Sequence, residues 1–170
     1  METTSDDRLW QRAVSFAAQR HNGQLRKDGK TPYFAHPVRV ALVVRHVFES
    51  TDQTALVGAL LHDLIEDTTT DYDDLIEQFG QEAADAVAAL TKDARLPEAE
   101  REDAYDRQLS QASWQARLVK LADVYDNFCD SRSDAERQRF AEKARRAIRC
   151  AGDSAELQKA IKIVQSLVSG

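Results

Sequence analysis

Two imidazoles and two carboxylates stand out in this chain because each lies among apolar neighbours. His36 is in YFAHP, directly ahead of a helix start; His62 and Asp63 are adjacent at the end of ALVGALL; Asp123 is in LVKLADVYDN. A buried Asp is rare unless paired or bound to a metal, because stripping a carboxylate of water costs several kcal/mol. Each residue alone has a plain structural account: His36 can satisfy a loop carbonyl, and Asp63 or Asp123 can pair with a lysine such as Lys120. Together they form a mixed nitrogen–oxygen donor set suited to Mn²⁺, Fe²⁺ or Zn²⁺, with positions left for water and substrate. Helical spacing extends the set. Glu66 follows His62 by four residues, Asp67 follows Asp63 by four and Asn127 follows Asp123 by four, so each lies one turn on along the same face. A carboxylate there orients or deprotonates water, and a carboxamide orients water or a phosphate oxygen. Glu66-Asp67 also reads as an acidic helix end before TTTD. Acids at a helix C-terminus oppose the macrodipole by roughly 0.3–1 kcal/mol each, which gives the functional reading weight.

The elements that must position these residues follow a helical apolar period almost throughout. Leu9, Ala13, Phe16 and Ala17 form a stripe ending before Asn22-Gly23. QLRKDGKTPYF reads as a loop, with Asp28-Gly29 a turn dipeptide and Thr31-Pro32 extended. Pro37 is tolerated in a first turn, and VRVALVVRHVF, although β-branched, is long enough for a buried helix. Asp52 or Thr51 is placed to cap QTALVGALLHDLIED, read as one helix; Thr70 or Asp71 caps the next, through Leu75, Ile76 and Phe79 to Gly80. A helix from about Glu82 to Leu90 precedes the charged stretch KDARLPEAEREDAYDR. Leu118, Leu121, Ala122 and Tyr125 mark a helix carrying Asp123, and two more helices close the chain near 134–150 and 154–168. The expected fold class is all-α: a single compact domain over 1–170, without repeats or hairpins.

Length and composition bound the function. The 170 residues include 42% hydrophobic and 31% charged ones, too apolar for disorder and too broken by charge for a membrane protein. No apolar run approaches the ~18 residues of a membrane span, and METTSDDR lacks the basic start of a signal peptide. Cys129 and Cys150 give neither a disulfide framework nor a zinc spacing, which suits the reducing cytoplasm. The net charge of −6 argues against a general nucleic-acid binder. That average hides an asymmetry. Between Arg20 and Arg45 there are six basic residues (Arg20, Arg26, Lys27, Lys30, Arg39, Arg45) and one acid, Asp28. A small positive face on an acidic body fits a compact polyanion, although it also reads as a solvated surface.

His36, His62-Asp63 and distant Asp123 reproduce the H…HD…D signature of HD-domain metal phosphohydrolases. HNGQLRKDGKTPYFAHPVRVA, ALLHDLIEDT, LTKD and RLVKLADVYDN, in that order, resemble the hydrolase domain of the RelA/SpoT homologues over about residues 16–127. In size the chain is similar to the stand-alone small alarmone hydrolases. The resemblance implies an all-helical HD domain with one Mn²⁺ that removes the 3′-diphosphate of guanosine tetra- and pentaphosphate as pyrophosphate, ending a stringent-response signal. Carried over by position, His36, His62, Asp63 and Asp123 are metal ligands. Glu66 and Asp67 activate or position water, with Asn127 beside them. Arg26 and Lys27 meet phosphate or nucleobase, and Tyr33 lines the nucleotide pocket.

The chain departs from the family pattern where Val124 follows the last metal-binding Asp, where Asp126 precedes Asn127, and where Phe128 and Cys129 follow it. These changes remove positive charge near the substrate. The chain's length leaves no room for the family's synthetase domain, so hydrolysis without synthesis is expected, by a monomer or homodimer. Two other readings stay open: an HD phosphohydrolase of another nucleotide, such as an adenosine alarmone or the 2′-phosphate of NADPH, and a nucleotide-sensing module without turnover.

Overall fold

The computed structural model describes residues 8–169; the start METTSDD, read above for a leader, lies outside them. The described residues are helical, with only an isolated antiparallel bridge, Leu25 to Pro32, in the loop before the second helix. Helix α1 (Leu9–Arg20) buries Ala13 and Ala17 and packs on α3 (Gln53–Leu61). Between them lie α2 (Ala35–Leu42) and a five-residue π segment, Val43–Val47. The β-branched run VRVALVVRHVF is thus helical, but its second half widens, with Phe48 N–H donating to Val43 O at 2.9 Å.

Helix α3 is capped by Asp52, whose side chain accepts from Ala55 N–H, and buries Ala55, Val57, Gly58, Ala59, Leu60 and Leu61. It does not continue through HDLIED as one helix. The chain turns at His62-Asp63 and restarts as α4 (Leu64–Asp67). Neighbouring side chains on a straight helix diverge by about 100°; the turn lets this pair serve one cavity.

Asp71 and Asp74 form a capping box for α5 (Tyr72–Phe79), stabilising it by about 1 kcal/mol. Gly80, at φ +83°, turns the chain into α6 (Gln81–Leu90). The charged stretch holds a further helix, α7 (Glu98–Ser110). It buries only Tyr105 and Leu109, too sparse a stripe to stand out from the sequence. Helix α8 (Trp114–Cys129) is capped by Ser113, and α9 (Asp134–Ala151) by Ser133. A 3₁₀ turn, Ala155–Leu157, leads into α10 (Gln158–Ser169).

The buried apolar side chains form two clusters. One surrounds α8 with α2, α9 and α10; the other joins α1, α3, α5 and α6. Helices α2, α3 and α8 pack on one another at the seam, and this seam brings His36, the end of α3 and Asp123 together. Among the described residues no helix is long and apolar enough to cross a membrane.

Candidate metal centre and active site

His36, His62 and Asp123 are all buried and offer donor atoms that lie within 4.8 Å of one another. His36 Nε2 is 3.2 Å from Asp123 Oδ1 and 3.7 Å from Asp63 Oδ2. His62 Nε2 is 3.1 Å from Asp63 Oδ2, yet it is buried without a hydrogen-bond partner. A buried polar atom left so costs about 1–3 kcal/mol. An orphaned imidazole nitrogen facing two carboxylates and a second imidazole fits a divalent cation of intermediate softness. Asp63 borders the three-residue cluster, and Glu66, Asp67 and Asn127 line the same cavity.

Each of these donors is held from behind. His62 Nδ1–H donates to Ala59 O at 2.9 Å and His36 Nδ1–H to Asp126 Oδ2 at 2.7 Å. Tyr33 O–H donates to Asp63 Oδ2 at 2.7 Å. Asp123 accepts from Lys120 Nζ at 2.9 Å through Oδ2 and from Asn127 Nδ2 at 2.6 Å through Oδ1. The plain account of Asp123, a lysine partner at Lys120, is therefore realised alongside its place in the cluster. His36 is not satisfied by a loop carbonyl but by a carboxylate. The pKa directions follow. Burial pushes the His62 imidazolium down, but Asp63 and Asp123 more than offset this and raise it to about 9. Burial alone would raise Asp63 and Asp123; the His62 imidazole brings Asp63 down to about 2, and Lys120 and the imidazoles hold Asp123 well below the usual carboxylate range. Tyr33 is pushed up by burial and by Asp63, which keeps its phenol a proton donor.

The cavity also has a cationic lining. Arg26, Lys92, Lys120 and Lys143 line it with Tyr105. Lys92 and Lys120 lie over the Tyr105 ring, at 5.4 and 5.3 Å from its centroid, and Tyr105 Oη is buried without a hydrogen-bond partner. Burial and the neighbouring Lys92 and Lys120 push the Lys143 ammonium below its ordinary value. Arg26 sits over the Tyr33 ring and donates to Asn127 Oδ1 at 3.2 Å and Asp130 Oδ2 at 2.8 Å. Lys27 does not line the cavity. The turn closed by Gly29 N–H to Arg26 O carries it toward α9, where Nζ is 3.5 Å from Glu136 and lies over Phe140.

Three of the six basic residues between Arg20 and Arg45 are accordingly not free positive charge. Asp130 takes Arg26, Asp126 takes Arg39 and Glu136 takes Lys27. The charge missing around Val124 and Cys129 is present in space, as lysines from the α6–α7 connection, α8 and α9.

Several residues of the site carry no sequence signal of their own. Lys143 looks like a surface lysine and Tyr105 lies inside the charged stretch, whereas Lys92 stands in the LTKD word of the family resemblance. Asp126 reads as an acidic intrusion. His21 and Gln24 lie inside the quoted loop motif, where a role could have been sought. His21 Nδ1–H donates to Gln24 Oε1 at 2.7 Å, and Gln24 Nε2 donates to Asp67 O at 2.7 Å, tying the loop to α4.

With this geometry in view, the comparisons are specific. A family model of the HD domain matches residues 13–147. Guanosine-3′,5′-bis(diphosphate) 3′-pyrophosphohydrolase MESH1 of Danio rerio is 44% identical over 118 residues, covering 69% of this chain and 66% of that protein. Its Xenopus tropicalis counterpart is 41% identical over 128 residues, covering 75% and 72%. A solved structure described as a metazoan orthologue of SpoT that hydrolyses ppGpp superposes with a TM-score of 0.79 at 26% identity, covering 98% of this chain and 97% of that one. The chain belongs to the HD-domain family and, within it, to the RelA/SpoT homologues whose motifs it carries. HD-domain hydrolases are metal-dependent, and this chain has in His36, His62 and Asp123 a group of donors able to hold a metal ion.

Proposed function

We propose that this chain is a Mn²⁺-dependent 3′-pyrophosphohydrolase of guanosine tetra- and pentaphosphate, yielding GDP or GTP and pyrophosphate. Fe²⁺ or Zn²⁺ fits the same donors. The observation that carries the reading is that one cavity is lined both by an acidic, metal-capable group and by three lysines and an arginine. The names of the relatives in Danio rerio and Xenopus tropicalis support the choice of substrate.

A divalent cation bound by His36, His62, Asp63 and Asp123 supplies Lewis-acid polarisation and acidifies water. The chain's own side chains account for the rest. Glu66, beside Asp67 on α4, takes a proton from the attacking water as its oxygen bonds to the phosphorus on the ribose 3′ oxygen. The bond from that phosphorus to the ribose oxygen breaks, and the leaving oxygen takes up, through solvent, the proton that Glu66 accepted. Asn127 orients water or a phosphate oxygen. Lys92, Lys120 and Lys143 face the charge that develops on the diphosphate, and the Arg26–Tyr33 pair offers a flat cationic surface to the nucleotide. Two free cysteines and an acidic chain accord with a cytoplasmic location and a nucleotide, not a nucleic acid, as partner.

The deciding experiment supplies Mn²⁺ to EDTA-treated protein and follows products from guanosine tetraphosphate, an adenosine alarmone and NADPH. Pyrophosphate from the guanosine nucleotide is expected. Orthophosphate from NADPH alone would replace the substrate; no product from any of them would favour a sensing module.

A further inference from the structure

Asp126 is 5% exposed and does not line the cavity, although it is one of the most tightly bonded carboxylates of the fold. Its Oδ2 accepts from His36 Nδ1–H at 2.7 Å. Arg39 grips it as a fork, with Nε donating to Oδ1 at 2.7 Å and Nη2 to Oδ2 at 2.9 Å. Arg39 Nη2 also reaches Asp130 Oδ2 at 3.2 Å, and Asp130 accepts from Arg26. We propose that Asp126, clamped by Arg39, is a positioning residue of the metal centre: it fixes the ring of His36 so that Nε2 presents its lone pair to the metal position.

A neutral imidazole carries one N–H, and a carboxylate 2.7 Å from Nδ1 places that hydrogen on Nδ1. The lone pair is then on Nε2, the atom that faces Asp123 and Asp63. Such carboxylate–histidine pairs set both the orientation and the basicity of a metal-binding ring. The spacing makes the arrangement self-consistent. Arg39 lies three residues after His36 on α2, and Asp126 three after Asp123 on α8, so both pairs meet across the same interhelical contact. The two histidines are thus held by different means. His62 leans on the Ala59 carbonyl in the last turn of α3, just before it, which no side-chain substitution removes. His36 depends on a side chain from another helix, and that side chain depends on Arg39. The fork also explains how the carboxylate tolerates burial, since its remaining lone pairs are satisfied by a charged partner.

The inference rests on the metal-centre reading above, and direct metal titration separates the two. Wild type, Asp126→Asn, Arg39→Gln and, as a control, Asp130→Asn would be stripped with EDTA and titrated with Mn²⁺ by calorimetry, and with Co²⁺ by its visible absorption bands. Second-partner loss costs about 10–100-fold in metal affinity. Asp126→Asn should therefore weaken Mn²⁺ binding by roughly that factor and alter the Co²⁺ bands. Arg39→Gln should weaken it less, in the same direction, although Arg39 touches no proposed ligand. Asp130→Asn, which keeps the Asp126–His36 contact, should stay within about twofold of wild type, far below the loss expected for a second partner. Unchanged metal affinity in Asp126→Asn, with only a lower melting temperature, would make Asp126 an interhelical staple and overturn the proposal. If Asp126→Asn does not fold, Arg39→Gln decides, with unchanged affinity again overturning it. A wild type that binds neither metal removes the metal centre itself; a wild type that binds beside an equally competent Asp126→Asn removes this inference alone.

Discussion

The acidic and the basic residues that line the cavity are held in different ways. On the acidic side every donor has a second partner that fixes its direction: Asp126 for His36, Ala59 O for His62, Tyr33 for Asp63, Lys120 and Asn127 for Asp123. On the basic side Lys92 pairs with the half-exposed Glu102, and Lys143 makes no ion pair among the described residues and is pushed toward its neutral form by burial and its lysine neighbours. A metal needs donors at fixed angles, whereas ammonium groups on long stems can follow a multiply charged ligand as it arrives. Like charges crowded beside an unpaired phenol are relieved by an anion. The acidic donors are pre-paired throughout, whereas among the cavity's cations Lys92, Lys120 and Arg26 have acid partners and Lys143 has none among the described residues.

Breaking the acidic side should have the largest effect. Asp63→Ala and Asp123→Ala should lose both metal and pyrophosphate release, read by elemental analysis and product assay; full activity of either would remove the assigned centre. Asp123→Ala should also destabilise the fold by about 1–3 kcal/mol, because it leaves the partly buried Lys120 without its carboxylate partner. Adding Lys120→Met should restore much of the melting temperature and none of the activity, separating what the pair does for folding from what it does for chemistry.

Glu66→Gln tests a residue between the two sides. Metal content should persist while kcat falls by about 10²–10⁴-fold, the usual contribution of a general base. An unchanged kcat would move that role to Asp67.

On the basic side, Lys143→Ala should raise KM for the guanosine nucleotide by roughly tenfold or more, since a charged hydrogen bond is worth about 1.5–3 kcal/mol. Its melting temperature should barely change. Lys27→Ala, whose side chain is turned to Glu136, should shift KM less than about twofold, in line with the small worth of exposed ion pairs. Equal effects of the two substitutions would erase the distinction between a cavity lysine and a basic loop.

The last effect is one of pH. In metal-free protein the His62 pKa is raised from 6.5 to about 9, so its stabilisation is complete below pH 6.5 and is lost as pH rises through 9. Thermal unfolding in EDTA should therefore show stability declining across that window. Metal affinity should rise over the same window, because the cation displaces the proton. A flat profile in EDTA would mean that the carboxylates do not hold the imidazolium as the structure has them.

The helices with continuous apolar stripes were readable from the chain, because a period of 3.6 residues survives in any one amphipathic segment. Asp52, Asp71 and Gly80 marked their ends through local hydrogen bonds and backbone conformation. Helix α7 was not readable, since Tyr105 and Leu109 are its only buried residues. The break at His62-Asp63 was also hidden, because a continuous apolar pattern runs across it and the turn serves the cavity, not the local sequence.

The sequence by itself determined which residue types are on offer to a metal site: His36, His62, Asp63 and Asp123 are chemically distinctive among apolar neighbours, and Glu66 lies at helical spacing from His62. What only the tertiary structure decided is which of the common charged residues join them. Arg26 and Lys27 are neighbours in the chain, yet one faces the cavity and the other faces α9. Lys92, Lys120 and Lys143 are spread over three elements and meet around Tyr105. Asp126 finds His36 across ninety residues of chain. A lysine or aspartate has the same local preferences whether it is solvated or buried beside a partner, so its role is set by the packing of helices distant in sequence and leaves little trace in the residues around it.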